Sequence, residues 1–324
     1  MNNRRSFIIG IKSTKLNLRE KNFLRKYKPW GVILFTRNIK DIKQAKQLTT
    51  SIRKIFNDNK YPIMIDQEGG RVNRLKNIIS FENLTSEFFG KKFIKKPKEF
   101  NFFYKLFIDK TSYLLKLIGV NINTCPVLDL RKKGSSSIIG DRSFSSNPKI
   151  VSKIGDYCIN YHHNNGVGTV IKHIPGHGLA KVDSHHFTPV INKKLDYLLK
   201  NDFLPFKRKN SFFAMTAHII FKKIDLKNTV THSKKMIKLI RNKIGFKNIL
   251  ISDDISMKSL KGKIKENTIN AFNAGCDLVL HCNAKENEME IVAQNSPFIS
   301  KFVIKKTSQS VSYTHLTLPT SVIV

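Results

Sequence analysis

Acidic residues are scarce in this chain of 324 residues: 23 Asp and Glu stand against 58 Lys and Arg, a formal net charge of +35. An excess of that size invites a polyanion partner. The lysines, however, are spread along nearly every prospective helix instead of forming one arm or stripe, and Asn, Ile and Phe are abundant beside them. Adenine- and thymine-rich codons encode all four, so a drifted base composition explains the charge better than nucleic-acid recognition. Cysteine is also rare. Cys125, Cys158, Cys276 and Cys282 form no C-x-x-C pair and no metal spacing, and each lies in or beside an apolar segment, as reduced core thiols of a cytoplasmic protein do. No run approaches the roughly 20 apolar residues of a membrane span. Arg4 and Arg5 give the start a twin-arginine look, but the apolar run after them stops at Lys12 and no small-residue cleavage site follows. It reads as a first strand, not a signal. A G-x-G-x-x-G after that strand is missing as well, which argues against a dinucleotide-binding fold.

What the chain does contain is a series of β-branched runs, at 6–11, 31–36, 63–66, 120–130, 167–173, 212–220, 248–254 and 277–282. Amphipathic stretches with helical spacing separate most of them, for example 42–56, 195–206, and 236–245 with Gly245 as a C-cap. Strands apolar on both faces and joined by helices predict a parallel sheet. Eight such units predict a single (β/α)8 barrel of the TIM type over residues 1–310. Residues 311–324 lose the Lys/Asn/Ile bias abruptly and are expected to be a non-native tail.

A barrel presents its chemistry where strands end, at the carboxyl face. Asp66, Asp129, the Lys172–His173 pair, His218 and the Asp253–Asp254 pair all fall at such ends. The segment 168–186 is the densest: an apolar strand delivers Lys172 and His173, turns through Pro175 and Gly176, and leads to His177, Asp183, His185 and His186. A carboxylate in a barrel mouth suits the nucleophile of a retaining glycosidase, although strand periodicity does not choose between Asp253 and Asp254. An imidazole serves as acid and then base near neutrality, and Asp183, two residues before His185, is positioned to fix its tautomer. Asp66 suits a pair of vicinal sugar hydroxyls, and Arg74, Arg142 and Lys172 suit hydroxyl, acetamido or carboxylate groups. A competing reading takes His173, His177, His185 and Asp183 as zinc ligands of a metal-dependent barrel hydrolase. Another takes the chain as a basic, polyanion-binding barrel.

The blocks GVILFTRN (31–38), IDQEGGRVNR (65–74), NTCPVLD (123–129), IGDRSF (139–144), KHIPGHG (172–178), MTAH (215–218) and SDDISM (252–257) together resemble the bacterial β-N-acetylhexosaminidases of glycoside hydrolase family 3. The resemblance runs from about residue 7 to 283 and is poor only at 83–100. It implies a cytoplasmic, metal-free and cofactor-free retaining enzyme that removes terminal, non-reducing β-linked N-acetylglucosamine from cell-wall turnover fragments. Asp253 then corresponds to the nucleophile, His185 to the acid/base and Asp183 to its partner. Asp66, Arg74, Arg142, Lys172 and His173 correspond to sugar-binding positions. The partner implied is a small carbohydrate met by a monomer, with no specific nucleic acid and no membrane.

Overall fold

The computed structural model describes residues 3–313 except Lys133, Ser135 and His185. The expected tail therefore lies, from residue 314 onward, outside the described residues. In chain order the elements are β1 (Arg5–Gly10), α1 (Leu18–Tyr27), β2 (Pro29–Leu34), α2 (Ile42–Phe56), β3 (Ile63–Ile65), α3 (Ser86–Lys95), α4 (Pro97–Leu117), β4 (Ile122–Asn123), α5 (Pro148–Asn164) and β5 (Gly168–Ile174). There follow β6 (Val190–Ile191), α6 (Leu195–Lys200), β7 (Phe213–Thr216), β8 (Ile220–Phe221), α7 (Lys234–Leu239), β9 (Ile249–Asp254), α8 (Ile264–Ala274), β10 (Leu278–His281), α9 (Glu286–Asn295) and α10 (Lys301–Tyr313).

Eight strands close a parallel barrel in the order β1-β2-β3-β4-β5-β7-β9-β10 and back to β1, which is the (β/α)8 barrel expected. The closure follows from the strands being apolar on both faces: β2 and β5 are buried at every position. One side chain set, including Ile8, Ile33, Met64, Val170, Phe213 and Ile251, fills the barrel interior. The larger set packs strands against the surrounding helices. Ile299 and Val303 join the interior cluster, and the Trp30 indole donates to Thr307 Oγ1 at 2.9 Å. The segment entering α10 thus seals the amino end of the barrel and leaves the carboxyl end open for chemistry.

Three strand or helix boundaries differ from the sequence pattern. The run 120–130 yields only two residues of ladder, because after Asn123 a side-chain clasp to the Gln67 backbone replaces it; pairing resumes as a single bridge from Val127 to Lys172. The run 212–220 splits at Thr216, and Ile220–Phe221 leaves the barrel to pair with Val190–Ile191 above the loops. The stretch 195–206 breaks into α6 and a short turn, Leu204–Phe206, around Pro205. Helix α2 keeps its expected bounds, and the wide turn after α7 ends on Gly245 at φ 80°. Within 83–100, Thr85 caps α3 and Pro97 opens α4. Among the described residues, no helix is long and apolar enough to cross a membrane. Cys125, Cys158 and Cys276 are buried free thiols, with Cys282 half-buried.

Candidate active site

The carboxyl ends of the strands surround a cavity of about 280 Å³. Asp66, Arg74, Arg142, Lys172, His173 and Asp253 all line it, joined by Glu68, Arg71, His177 and Ser184. Six of the expected site residues therefore converge on one space. Asp183 belongs to the loop after β5 but is not among the lining residues. His185 lies outside the described residues, and its neighbour Ser184 faces the cavity.

β3 and its loop supply the floor on one side. Gly69 and Gly70 have φ of 96° and 56°, and a Cβ on Gly69 would stand 2.4 Å from the Leu84 carbonyl oxygen. Only glycine lets the 66–74 loop turn this closely over the segment preceding α3. The turn brings Asp66 and Glu68 against Lys172 from β5. Lys172 Nζ donates to Asp66 Oδ1 at 3.0 Å and lies 2.7 Å from Glu68 Oε1. The Thr124 hydroxyl also donates to Asp66, and Arg74 stands 3.4 Å from its other oxygen. Burial alone would raise the Asp66 carboxyl, but Lys172 and Arg74 outweigh it and hold the group well below the ordinary carboxylate range. An ionised Asp66 facing the cavity can accept from two hydroxyls at once.

Glu68 is the largest addition to the sequence-based set. Its side chain is only 4% exposed and receives a two-point contact from Arg142, at 2.8 and 2.9 Å. Arg142 and Lys172 outweigh its burial and keep it ionised. Arg142 is thus committed to Glu68 and Lys172 to both Asp66 and Glu68, which leaves Arg74 as the least encumbered of the three cations toward a ligand.

β4 and β5 together position His173. Asp129, fully buried, accepts from the backbone N–H of His173 at 3.2 Å and of His177 at 2.7 Å, and its Oδ2 lies 2.7 Å from His173 Nδ1. Burial opposes ionisation of Asp129, yet His173 and these donors lower its pKa. One carboxylate therefore shapes the Pro175–Gly176 turn and orients the imidazole. His173 Nε2 then points toward Asp253 Oδ2, 4.0 Å away.

β9 carries the carboxylate pair and distinguishes its members. Asp254 Oδ1 accepts from Ser256 N and Oγ at 3.0 and 2.8 Å and from Cys282 N at 3.3 Å, while its carbonyl accepts from His218 Nε2 at 3.0 Å. Those contacts tie Asp254 into the loop. Asp253 lines the cavity, with Oδ1 accepting its neighbour's backbone N–H at 2.8 Å. Of the histidines weighed as zinc ligands, His173 Nδ1 turns to Asp129, and His177 Nε2 turns to Ser184 Oγ at 3.0 Å. Burial, with His173 adding to it, lowers His177 to about 4. These ring nitrogens serve separate partners.

Residues 8–303 match the family described as Glycosyl hydrolase family 3 N terminal domain. A β-hexosaminidase of Haemophilus influenzae (strain PittEE) is 32% identical over 305 residues, covering 90% of this chain and 85% of its own length. The structure of NagZ from Neisseria gonorrhoeae in complex with N-trifluoroacetyl-D-glucosamine superposes with a TM-score of 0.83 at 28% identity, over 96% of this chain and 90% of that one. Native NagZ from the same organism gives a TM-score of 0.85 at 27% identity, with coverages of 98% and 94%.

Proposed function

Because this chain belongs to glycosyl hydrolase family 3 and is a glycoside hydrolase, we propose that it is a retaining exo-β-N-acetylglucosaminidase acting through a glycosyl ester on Asp253. The observation that carries this reading is the convergence of Asp253, Asp66, Arg74, Lys172 and His173 on one cavity at the barrel mouth. A terminal sugar with vicinal hydroxyls on Asp66 and Lys172 brings its anomeric carbon toward the β9 side, where Asp253 attacks. The leaving oxygen needs a proton, and His185 gives it; the same imidazole then takes a proton from the water that hydrolyses the ester. Ser184, which precedes His185 in the chain, lies in the cavity wall. Asp183 supports the imidazolium in this scheme. His173, its Nδ1 held by Asp129, orients a hydroxyl beside the nucleophile.

The physiological substrate in this proposal is a peptidoglycan turnover fragment bearing terminal N-acetylglucosamine, met in the cytoplasm by a monomer. Residues 1–310 form the catalytic domain and 311–324 take no part. The relatives' names and the N-trifluoroacetyl-D-glucosamine held by the Neisseria enzyme support the sugar assignment.

The test is to trap the enzyme with a slowly hydrolysed fluorinated N-acetylglucosaminide and map the labelled peptide. A label on Asp253, with retained configuration in the product of an ordinary chromogenic substrate, is the expected result. A label on any other carboxylate, or an inverted product, overturns the mechanism.

A further inference from the structure

Behind the β3–β4 wall of the mouth, the fold assembles three soft ligands that are far apart in sequence. Cys158 and His162 are one turn apart on α5 and so project from the same helix face, the i, i+4 spacing by which a helix offers two ligands to one ion. Cys125, just past β4, closes the triangle. Cys125 Sγ and Cys158 Sγ are 4.0 Å apart; His162 Nε2 is 3.5 Å from Cys125 Sγ, and its Nδ1 is 3.6 Å from Cys158 Sγ. One ligand atom from each residue falls within 4.8 Å of the other two. Tetrahedral zinc with bonds of about 2.3 Å to sulfur and about 2.0 Å to nitrogen requires edges of roughly 3.8 Å between sulfurs and roughly 3.5 Å from sulfur to nitrogen. Two edges, 4.0 Å between the sulfurs and 3.5 Å from Cys125 Sγ to His162 Nε2, are within a few tenths of an ångström of that shape, while the 3.6 Å contact to Cys158 Sγ is made by the other ring nitrogen, Nδ1.

We propose that Cys125, Cys158 and His162 form a binding site for a single thiolate-preferring d10 cation, with zinc(II) as the type ion. His162 Nδ1 lies 2.9 Å from the Cys158 carbonyl oxygen and donates to it, so Nε2 carries the lone pair. That is the outer-sphere arrangement that ligating histidines use. The lone pair now faces the Asn123 amide at 3.2 Å, and the other N–H of that amide stays on the Gln67 carbonyl at 2.9 Å when the ion takes its place. A cavity of about 20 Å³ adjoins all three ligands, enough for one water or one small ion. Cys125, Cys158 and His162 are 6%, 2% and 0% exposed, so a bound ion is shielded from competing ligands. Loading releases the thiol protons to solvent.

Position gives the site a consequence. Thr124, next to Cys125, donates to Asp66 in the catalytic cavity, so an ion here would pin the β4 segment that buttresses the sugar-binding carboxylate. The site is separate from the anomeric centre, and its failure leaves the glycosidase reading intact.

The experiment uses the full chain, stripped with chelator, reloaded with zinc and desalted. One zinc per chain is expected by elemental analysis, lost in folded Cys125→Ala and His162→Gln. Cobalt(II)-loaded wild type should show a thiolate-to-cobalt charge-transfer band with tetrahedral visible bands, a readout that needs no variant. Zinc retained undiminished by both variants, cobalt without the thiolate band, or a Cys125–Cys158 disulfide in place of metal each overturns the proposal.

Discussion

Asp202 offers the cleanest quantitative test of how burial governs this molecule. Its residue is 1% exposed, and among the described residues neither carboxylate oxygen has a hydrogen-bond partner. It packs beneath the histidine-bearing turn: a Cβ on Gly176 would come 2.7 Å from the Asp202 carbonyl oxygen, and one on Gly178 would come 3.1 Å from its Oδ1. Burial pushes the carboxyl from 3.8 up to about 6, with Lys132 opposing and Asp129 adding to the rise. That displacement corresponds to about 3 kcal/mol of folding free energy. The sign follows from which state binds the proton. Above pH 6 the group is charged in both states and the folded protein carries the desolvation cost. As the pH falls toward 4 the folded state takes up a proton first, and below the unfolded value the cost has gone. Asp202→Asn keeps the shape and removes the charge, so any cost of burying its amide is the same at every pH. Urea unfolding of both proteins should show the variant gaining about 2 kcal/mol over wild type on moving from about pH 4 to about pH 7.5, the rest of the displacement appearing only well below the unfolded value. An equal stability difference at the two pH values refutes the argument, because other carboxylates cancel in the comparison.

Two further outcomes test the mouth. Glu68→Ala leaves Lys172 and Arg142 buried without their shared ion-pair partner, with Asp66 still on Lys172 and with Asp129 and Asp66 the acids still acting on Arg142, and breaking a buried ion pair from one side costs about 3–5 kcal/mol; a loss under about 1 kcal/mol in urea unfolding would contradict the packing described. Asp253→Ala should abolish nearly all turnover of a chromogenic N-acetylglucosaminide, while His185→Ala lowers kcat by on the order of 10²–10⁴-fold. Near wild-type kcat in either variant, measured at saturating substrate, removes that residue from the mechanism.

The barrel was legible because its strands are buried on both faces, which prints near-continuous apolar runs such as 168–171 into the chain. β4 was not, since the ladder ends after two residues and a side-chain clasp between Asn123 and Gln67 replaces it. The site was legible wherever a charged residue closes an apolar run, as at Asp66, Lys172 and Asp253. Glu68 was hidden by its setting, a polar, glycine-rich loop where a glutamate normally meets solvent. A signal existed in hindsight: Arg142 and Lys172 both needed an acid, and this chain has few. Asp253 and Asp254 are equivalent to any periodicity argument, and only the hydrogen bonds from Ser256 and Cys282 tell them apart. Cys125 stands 33 residues from Cys158, so no spacing rule applied to sequence could pair them.

The charge distribution decides what the basic composition means for function. Every cation lining the cavity is paired with an acid, two of the acids being shared: Arg71 pairs with Asp141, Arg74 with Asp66, Arg142 with Glu68, and Lys172 with both Asp66 and Glu68. In a chain with 58 basic and 23 acidic residues, a mouth in which every cation meets a carboxylate differs from the chain as a whole. The excess of positive charge therefore belongs to the outer helices, where lysine is a solvated residue with little consequence for the fold. A polyanion site requires the reverse, cations converging without partners. The mouth of this barrel instead alternates donors and acceptors across a neutralised surface. That is the pattern a neutral sugar ring selects, because each hydroxyl must both give and receive a hydrogen bond.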